Sequence, residues 1–413
     1  MSDPDSTPRE RYLEQGTRAY LRANLALFAA GFATFSSMYS VQPLMPEFSR
    51  EFDVSAPVSS LSLSVTTGVL AFTLFFAGLM SGAIERKTAM TASLLGTAAL
   101  SLVVAMAPGW NTLLAARALE GVALGGVPAL AIAYLSEEIK PGDLGTATGL
   151  YIGGTACGGM GGRVIAGLLA EAFGWRVAIA VLGLIGFVAA AVFIWLLPRS
   201  RNFIAQRGLS IREHAGPVVS HLRHRALPWV FCCGFLFMGA FVSVYNYVGY
   251  RLSAPPFSLG QGAIGSVFIV YMLGVVTSAV AGRIADRRGR PPMLIIAIVL
   301  MASGLALMWP DSLIAIIAGI GLVTVGFFAG HSIASGWVGL LAEHGKGHAA
   351  GLYLLGYYLG SSVLGSLGGL FWSGYGWAGV TAMVAAILAL GLMTTLRLTA
   401  WHRRAAIAGG ESI

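Results

Sequence analysis

Apolar residues along this chain run in long unbroken blocks divided by short polar stretches. Twelve such blocks lie at about 22–45, 57–83, 88–107, 110–135, 144–170, 175–197, 227–250, 261–284, 292–309, 312–341, 348–372 and 376–398. As helices, blocks of roughly 20 residues span the ~30 Å hydrocarbon core of a bilayer. None shows the ten-residue alternation of a membrane barrel strand. The pattern therefore predicts an all-α integral membrane protein with twelve transmembrane helices.

The polar stretches divide the chain further. Residues 1–21 form a polar leading segment, 198–226 an arginine-rich linker and 399–413 a polar tail, which leaves two six-helix halves at 22–197 and 227–398. The halves repeat one another. Gly149-Leu150-Tyr151 recurs as Gly351-Leu352-Tyr353, and the same offset pairs Gly154 with Gly356, Gly158 with Gly360, Gly167 with Gly369, and Gly174-Trp175 with Gly376-Trp377. A gapless repeat of this length is the mark of a duplicated unit. Two pseudo-symmetric bundles in a membrane are the build expected of a transporter that rocks one half against the other around a midplane site.

Composition agrees with the membrane reading: the 413 residues are 56% hydrophobic and 11% charged, with a mean hydropathy of +0.76. A soluble chain carries about 25% charge. The net charge of +8 is placed by orientation. With the N-terminus in the cytoplasm, 21 of the 26 lysines and arginines fall on the inner side and three, Arg50, Arg176 and Arg251, on the outer side. That bias predicts both termini in the cytoplasm, and it removes any need for a nucleic-acid partner. No cleaved signal peptide is expected, because no short apolar core with a small-residue cleavage site precedes the first span. Cys157, Cys232 and Cys233 lie in apolar spans without metal-ligand or disulfide spacing, so neither metal nor cofactor is expected.

Chemistry is concentrated in a few intramembrane polar residues. Arg117 and Glu120 stand three apart on one helical face, roughly 10 Å and one further turn from the outer end of span 4. Ionised groups at that depth cost about 2.5–3.5 kcal/mol each on insertion scales, so they persist when paired or hydrated. They serve either as a functional pair or as a buried tie that holds helices in register. Arg163 follows a run of glycines in span 5 that includes Gly153, Gly154, Gly158, Gly159, Gly161 and Gly162. It has two readings, a substrate or proton-relay role, or a structural pairing with Glu171 or a carbonyl.

The loop after span 8, Gly282-Arg283-Ile284-Ala285-Asp286-Arg287-Arg288-Gly289-Arg290-Pro291-Pro292, closely resembles the cytoplasmic loop signature of the major facilitator superfamily. Its counterpart in the first half keeps Gly78 and the basic end Arg86-Lys87, but has Gly82 where the family carries aspartate and Glu85 where it carries glycine. That departure implies a cytoplasmic latch that is weaker or rebuilt on Glu85. The resemblance thus places Glu85, Arg86, Asp286, Arg287, Gly289 and Arg290 at a cytoplasmic gate. Span 4, with Arg117, Gly121 and Gly125, and span 5, with its glycines, resemble motifs of the proton-coupled efflux branch. Tyr39-Ser40-Val41-Gln42-Pro43-Leu44 resembles the end of span 1 in its acriflavin-sensitivity group, which exports drugs or sugars.

In the superfamily, spans 1, 4, 7 and 10 chiefly line the central cavity. The resemblance therefore assigns Tyr39, Gln42, Arg117, Tyr245, Asn246 and His331 to it, and Arg163 joins them as the second intramembrane cation. His331 is either a titrating group near neutral pH or a hydrogen-bonded core histidine. With no acid in span 1, Glu120 is the carboxylate that would carry a proton while Arg117 binds substrate. The expected activity is proton-coupled antiport of small organic compounds such as drugs or sugars. Uptake symport of a sugar or organic anion is the rival within transport, and a non-transporting receptor the rival outside it. No HExxH, GxSxG or Walker pattern points to an enzyme. Small-molecule substrate, protons and lipid are the expected partners, and a monomer is the default.

Overall fold

The computed structural model describes residues 12–80, 85–203 and 211–409. Gly82, where the sequence departs from the family signature, lies outside them. Among the described residues the chain is all helical, with one isolated bridge between Leu13 and Ile139 and no strand.

The first half contains α1 (Arg18–Tyr39), a short α2 (Met45–Glu51), α3 (Ala56–Met80), α4 (Arg86–Ala105), the pieces α5 (Trp110–Leu124) and α6 (Gly126–Glu138), α7 (Leu144–Phe173) and α8 (Trp175–Leu196). A connecting helix, α9 (Ile211–Arg223), leads to α10 (Leu227–Ser253). There follow α11 (Gln261–Val267), a 3-10 turn (Phe268–Met272), α12 (Leu273–Arg288), α13 (Arg290–Leu307), α14 (Leu313–Leu341) and α15 (Lys346–Gly409). Gly376, at φ +58°, breaks α15 into two crossings. Pairing α5 with α6 and α11 with α12 then gives twelve crossings among the described residues, so the first and last of those residues lie at the same end of the bundle. We call this the terminal end and its opposite the far end.

Several boundaries differ from the sequence pattern, each for a local reason. The first span ends at Tyr39, and Ser40–Leu44 turn before Pro46 opens α2, because proline suits a first helical turn. Span 4 breaks at Gly125, where Pro128 has no N–H to offer the Leu124 carbonyl one turn back. The linker contains α9, and α15 runs ten residues and more into the expected tail. Outward-facing Phe72, Val188, Trp195 and Ile314 are exposed in the bare chain, as the lipid-facing surface of a membrane protein is.

The duplication is visible in the packing. A Cβ on Gly154 would sit 2.5 Å from the Phe28 carbonyl oxygen, and one on Gly158 would strike that of Phe32, so α7 lies directly on α1. In the second half Gly356 and Gly360 face the carbonyls of Phe231 and Phe235 in the same way, setting α15 on α10. Small residues let the backbones touch, which is how helices associate where lipid supplies no hydrophobic drive.

The halves meet along two seams, α3 with α15 and α7 with α11. Gly167 abuts Gln261 and Gly265 in one, and Gly369 abuts Pro57 in the other. At the far end the seam is closed. Ser49 and Tyr250 share a 2.8 Å hydrogen bond, Tyr250 donates to the Met45 carbonyl, and the Glu171 carboxylate accepts from the Gly262 N–H. α7 also touches α12, over a shorter stretch than it touches α11.

Candidate functional site

Where the seams cross, residues from both halves converge on Arg163. It stands on the glycine face of α7, where Gly162 admits the Ser36 backbone and brings the end of α1 alongside. Its Nε donates to Gln42 Oε1 at 2.6 Å and its Nη1 to the Gly159 carbonyl at 2.5 Å. Gln42 in turn donates through Nε2 to Asn246 Oδ1 at 2.7 Å, a bond between the first half and the second. Four rings surround the guanidinium carbon, with centres at 4.3 Å for Tyr39, 4.9 Å for Tyr271, 5.3 Å for Tyr245 and 5.6 Å for Phe268.

Arg163 is 0% exposed and has no carboxylate partner; the Tyr271 hydroxyl lies within polar reach of its guanidinium, while Nη2 makes no hydrogen bond of good geometry. Glu171, the acid that its sequence position offered, is committed to the Gly262 N–H across the seam, so that pairing is not made. Of the two structural partners the sequence allowed, only a carbonyl is present. Each cation–π contact returns about 0.5–2 kcal/mol, so the four rings together offset a cost of the same order, the several kcal/mol of a desolvated guanidinium. The charge is thus held by rings, an amide and a carbonyl, with no counter-charge beside it.

The other intramembrane pair is in the opposite condition. Arg117 Nη1 meets Glu120 Oε2 at 2.6 Å, with both residues at most 1% exposed. The remaining Arg117 donors reach the carbonyls of Ser62, Ser37 and Met38. Glu120 Oε1 accepts from Ser37 Oγ and from Ser101 Oγ, the latter at 2.9 Å. Every strong group here is paired, and the cluster joins α1, α3, α4 and α5 within the first half. It does not touch the Arg163 network.

The remaining cavity candidates separate by depth. Tyr39 and Tyr245 form part of the ring cage, and Tyr245 also shares a 2.7 Å bond with Thr324. His331 lies seven residues beyond Thr324 on α14, about 10 Å nearer the terminal end. It is partly exposed, with Nδ1 3.0 Å from the Tyr353 hydroxyl and its ring 4.6 Å from that of Tyr357. The structure thus brings Tyr39, Gln42, Arg163, Tyr245 and Asn246 together, and leaves Arg117 and His331 apart from them.

The gate candidates form two separate groups at the terminal end. Arg86 pairs with Glu137 at 2.7 Å, and Glu85 caps α4 by accepting from the Thr88 N–H at 2.8 Å. Partial burial pushes the Glu85 carboxyl up, but hydrogen bonds from the Thr88 hydroxyl and nearby backbone outweigh it and hold the group below its ordinary value. In the second half Asp286 pairs with Arg290 at 2.6 Å, around Gly289 at φ +87°, a conformation that favours glycine. Arg287 stands exposed beside them.

Four contributors escaped the sequence reading: Phe268, Tyr271, Ser64 and the Glu171 tie. Ser64 and Glu171 sit on the seam helices α3 and α7, and Phe268 and Tyr271 in the 3-10 turn after α11, rather than on spans 1, 4, 7 and 10. For two of them the repeat offset was an available signal, since 204 residues separate Ser64 from Phe268, as they do Gln42 from Asn246 and the two loop motifs.

Comparison with known proteins agrees with this architecture. Residues 27–260 match the Major Facilitator Superfamily. The MFS-type transporter YybF of Bacillus subtilis is 45% identical over 92% of this chain and 94% of its own. The inner membrane transport protein YnfM of Escherichia coli is 43% identical over 95% and 94%. Among solved structures, a mutant of the nucleoside transporter NupG superposes with a TM-score of 0.75 at 13% identity, covering 91% of this chain and 99% of its own, a likeness of fold. The chain belongs to the major facilitator superfamily and is a multi-pass transmembrane transporter.

Proposed function

We propose that this transporter works by alternating access and exports small organic compounds in exchange for protons across a bacterial inner membrane, as a monomer with both termini in the cytoplasm. The observation that carries this reading is the seam itself: it is closed at the far end and buries, at mid-depth, a polar and aromatic cluster built by both halves. Polar groups shared between two bodies gain access to water or substrate when the bodies part. The glycine contacts at Gly167 and Gly369 supply smooth surfaces for that movement. On this reading the far end faces outward, and the Glu85–Arg86 and Asp286–Arg290 groups act at the cytoplasmic gate with Arg287 and Gly289.

Glu120 is our candidate proton carrier. It is the carboxylate set within a span, and the Ser37 and Ser101 hydroxyls can serve a protonated acid as well as an ionised one. Protonation would release Arg117 from its partner, which ties proton binding to the packing of α1 against α5. In liposomes with an imposed pH gradient and a lumenal pH dye, challenged with organic acids, sugars and lipophilic cations, the wild type should move protons when its substrate is supplied. Glu120→Gln should keep substrate binding and lose proton-driven accumulation. Substrate flux that proceeds without proton movement in the wild type would overturn the coupling.

A further inference from the structure

We propose that the Arg163–Gln42–Asn246 cluster is an anion-binding site whose ligand is an aromatic carboxylate or an anion of similar form. The proposal rests on the transport reading and names the substrate class for its central site. Three buried polar atoms here lack partners: Arg163 Nη2, Asn246 Nδ2 and Ser64 Oγ. Their residues are 0%, 0% and 2% exposed. Two are donors and the third can be one. Buried groups left unsatisfied in a well-packed fold call for an explanation, and a ligand that arrives during the working cycle is one.

The repeat shows how the site arose. Gln42 and Asn246 are equivalent positions, so their hydrogen bond crosses the pseudo-two-fold axis. The position equivalent to Arg163, at the offset of 202, is Gly365. A Cβ on Gly365 would lie 3.0 Å from Val242 Cγ1, 3.2 Å from Asn246 Nδ2 and 3.8 Å from Ser64 Oγ, so the glycine lets the amide and hydroxyl pack against the bare α15 backbone where an arginine stands on the other side. The symmetry is thus broken by a cation on one side and its absence on the other. With no acid in the cluster, it carries the single positive charge of the guanidinium, which selects an anion and rejects a lipophilic cation.

The rings define the rest of the ligand. Tyr245 stacks on Phe268 at 5.1 Å, and Phe241 lies between Tyr245, tilted at 4.2 Å, and Phe327, stacked at 4.0 Å, making an aromatic column that leads from Arg163 toward the terminal end. The rings touch one another in this closed arrangement, so a planar apolar body would pack on their faces as the halves part, and a carboxylate at its head would meet Arg163 Nη2.

The test uses the full chain in detergent and three probes of one shape: 2-naphthoate, its uncharged amide, and (2-naphthylmethyl)trimethylammonium. Titration calorimetry should show the acid binding at least tenfold tighter than the amide, with the cation weakest. Arg163→Gln should lose that preference and Arg163→Lys recover part of it. Gln42→Glu is the decisive variant. It places a carboxylate on Arg163 Nε, and Asn246 can turn its free amide to the second oxygen. The thermal midpoint should therefore rise while affinity for the acid falls at least tenfold.

Equal binding of acid and amide, no binding of the acid, or a Gln42→Glu protein that is less stable or still binds the acid would each overturn the site, even if Arg163→Gln fails to fold. The transport reading fails separately. Arg163-dependent binding of the acid without flux would remove transport and leave the site, whereas proton-coupled flux of a cation without binding of the acid would do the reverse.

Discussion

Two buried guanidiniums stand in this protein, and their surroundings assign them different work. Arg117 has a carboxylate and three carbonyls, all within one bundle. Arg163 has an amide, one carbonyl and four rings, shared between bundles. Removing one member of a buried pair costs about 3–5 kcal/mol because the other is left charged and alone. Arg117→Ala should therefore lower stability by about that amount, and Arg117→Met combined with Glu120→Met should recover most of the loss. Thermal unfolding of the single and double variants in one detergent measures the coupling; additive losses would mean that the two side chains do not act as a pair. The sequence showed both arginines plainly, since a charge in an apolar block needs no structure to be noticed. It could not show which one is satisfied. Arg117 finds its acid one turn away on the same helix, whereas the side-chain partners of Arg163 come from residues more than 80 positions distant in either direction, and the nearby acid Glu171 is turned to the opposite half.

Helices carried the most legible part of the fold. Twelve apolar blocks gave twelve crossings because span length is set by the bilayer, and the repeat of Gly174-Trp175 as Gly376-Trp377 placed the turns within the last span pairs of both halves, where both glycines have positive φ. Less legible were interruptions such as the 3-10 turn at Phe268–Met272, which answer to packing across the seam and leave little mark on hydropathy. The glycine faces separate the two kinds of information. Gly149 and Gly158 look alike in sequence, yet a Cβ at Gly149 meets nothing within 4 Å while one at Gly158 meets the Phe32 backbone. Gly149→Ala should thus be neutral or slightly stabilising through the helix preference of alanine, worth up to about 1 kcal/mol. Gly158→Ala forces α1 and α7 apart and should destabilise by roughly 1–3 kcal/mol. Equal thermal midpoints for the two variants would show that α7 does not rest on α1 as described.

At the scale of the whole molecule the question is what holds the far end shut. Ser49 with Tyr250 is a neutral contact, worth about 1 kcal/mol net. The Glu171 carboxylate is different in kind, because it comes from the first half and accepts the Gly262 N–H in the first turn of α11, which belongs to the second. A carboxylate at a helix N-terminus satisfies an otherwise open donor and is favoured by the helix dipole. Its bond exists only while the halves touch at that end, so it stabilises the closed state over the open one by the full worth of a cap. Removing it should cost the closed state about 1 kcal/mol, which shifts the equilibrium toward far-end opening by roughly fivefold. The change can be read by placing a single cysteine at Gln261, with Cys157, Cys232 and Cys233 replaced, and following its alkylation by a membrane-impermeant maleimide. Glu171→Ala should speed labelling several-fold. Glu171→Gln should fall between the two, because an amide oxygen can still accept the bond without its charge. An unchanged rate in both variants would mean that the far end is held by the helix contacts alone, and that rocking of the halves is balanced by packing along the glycine seams.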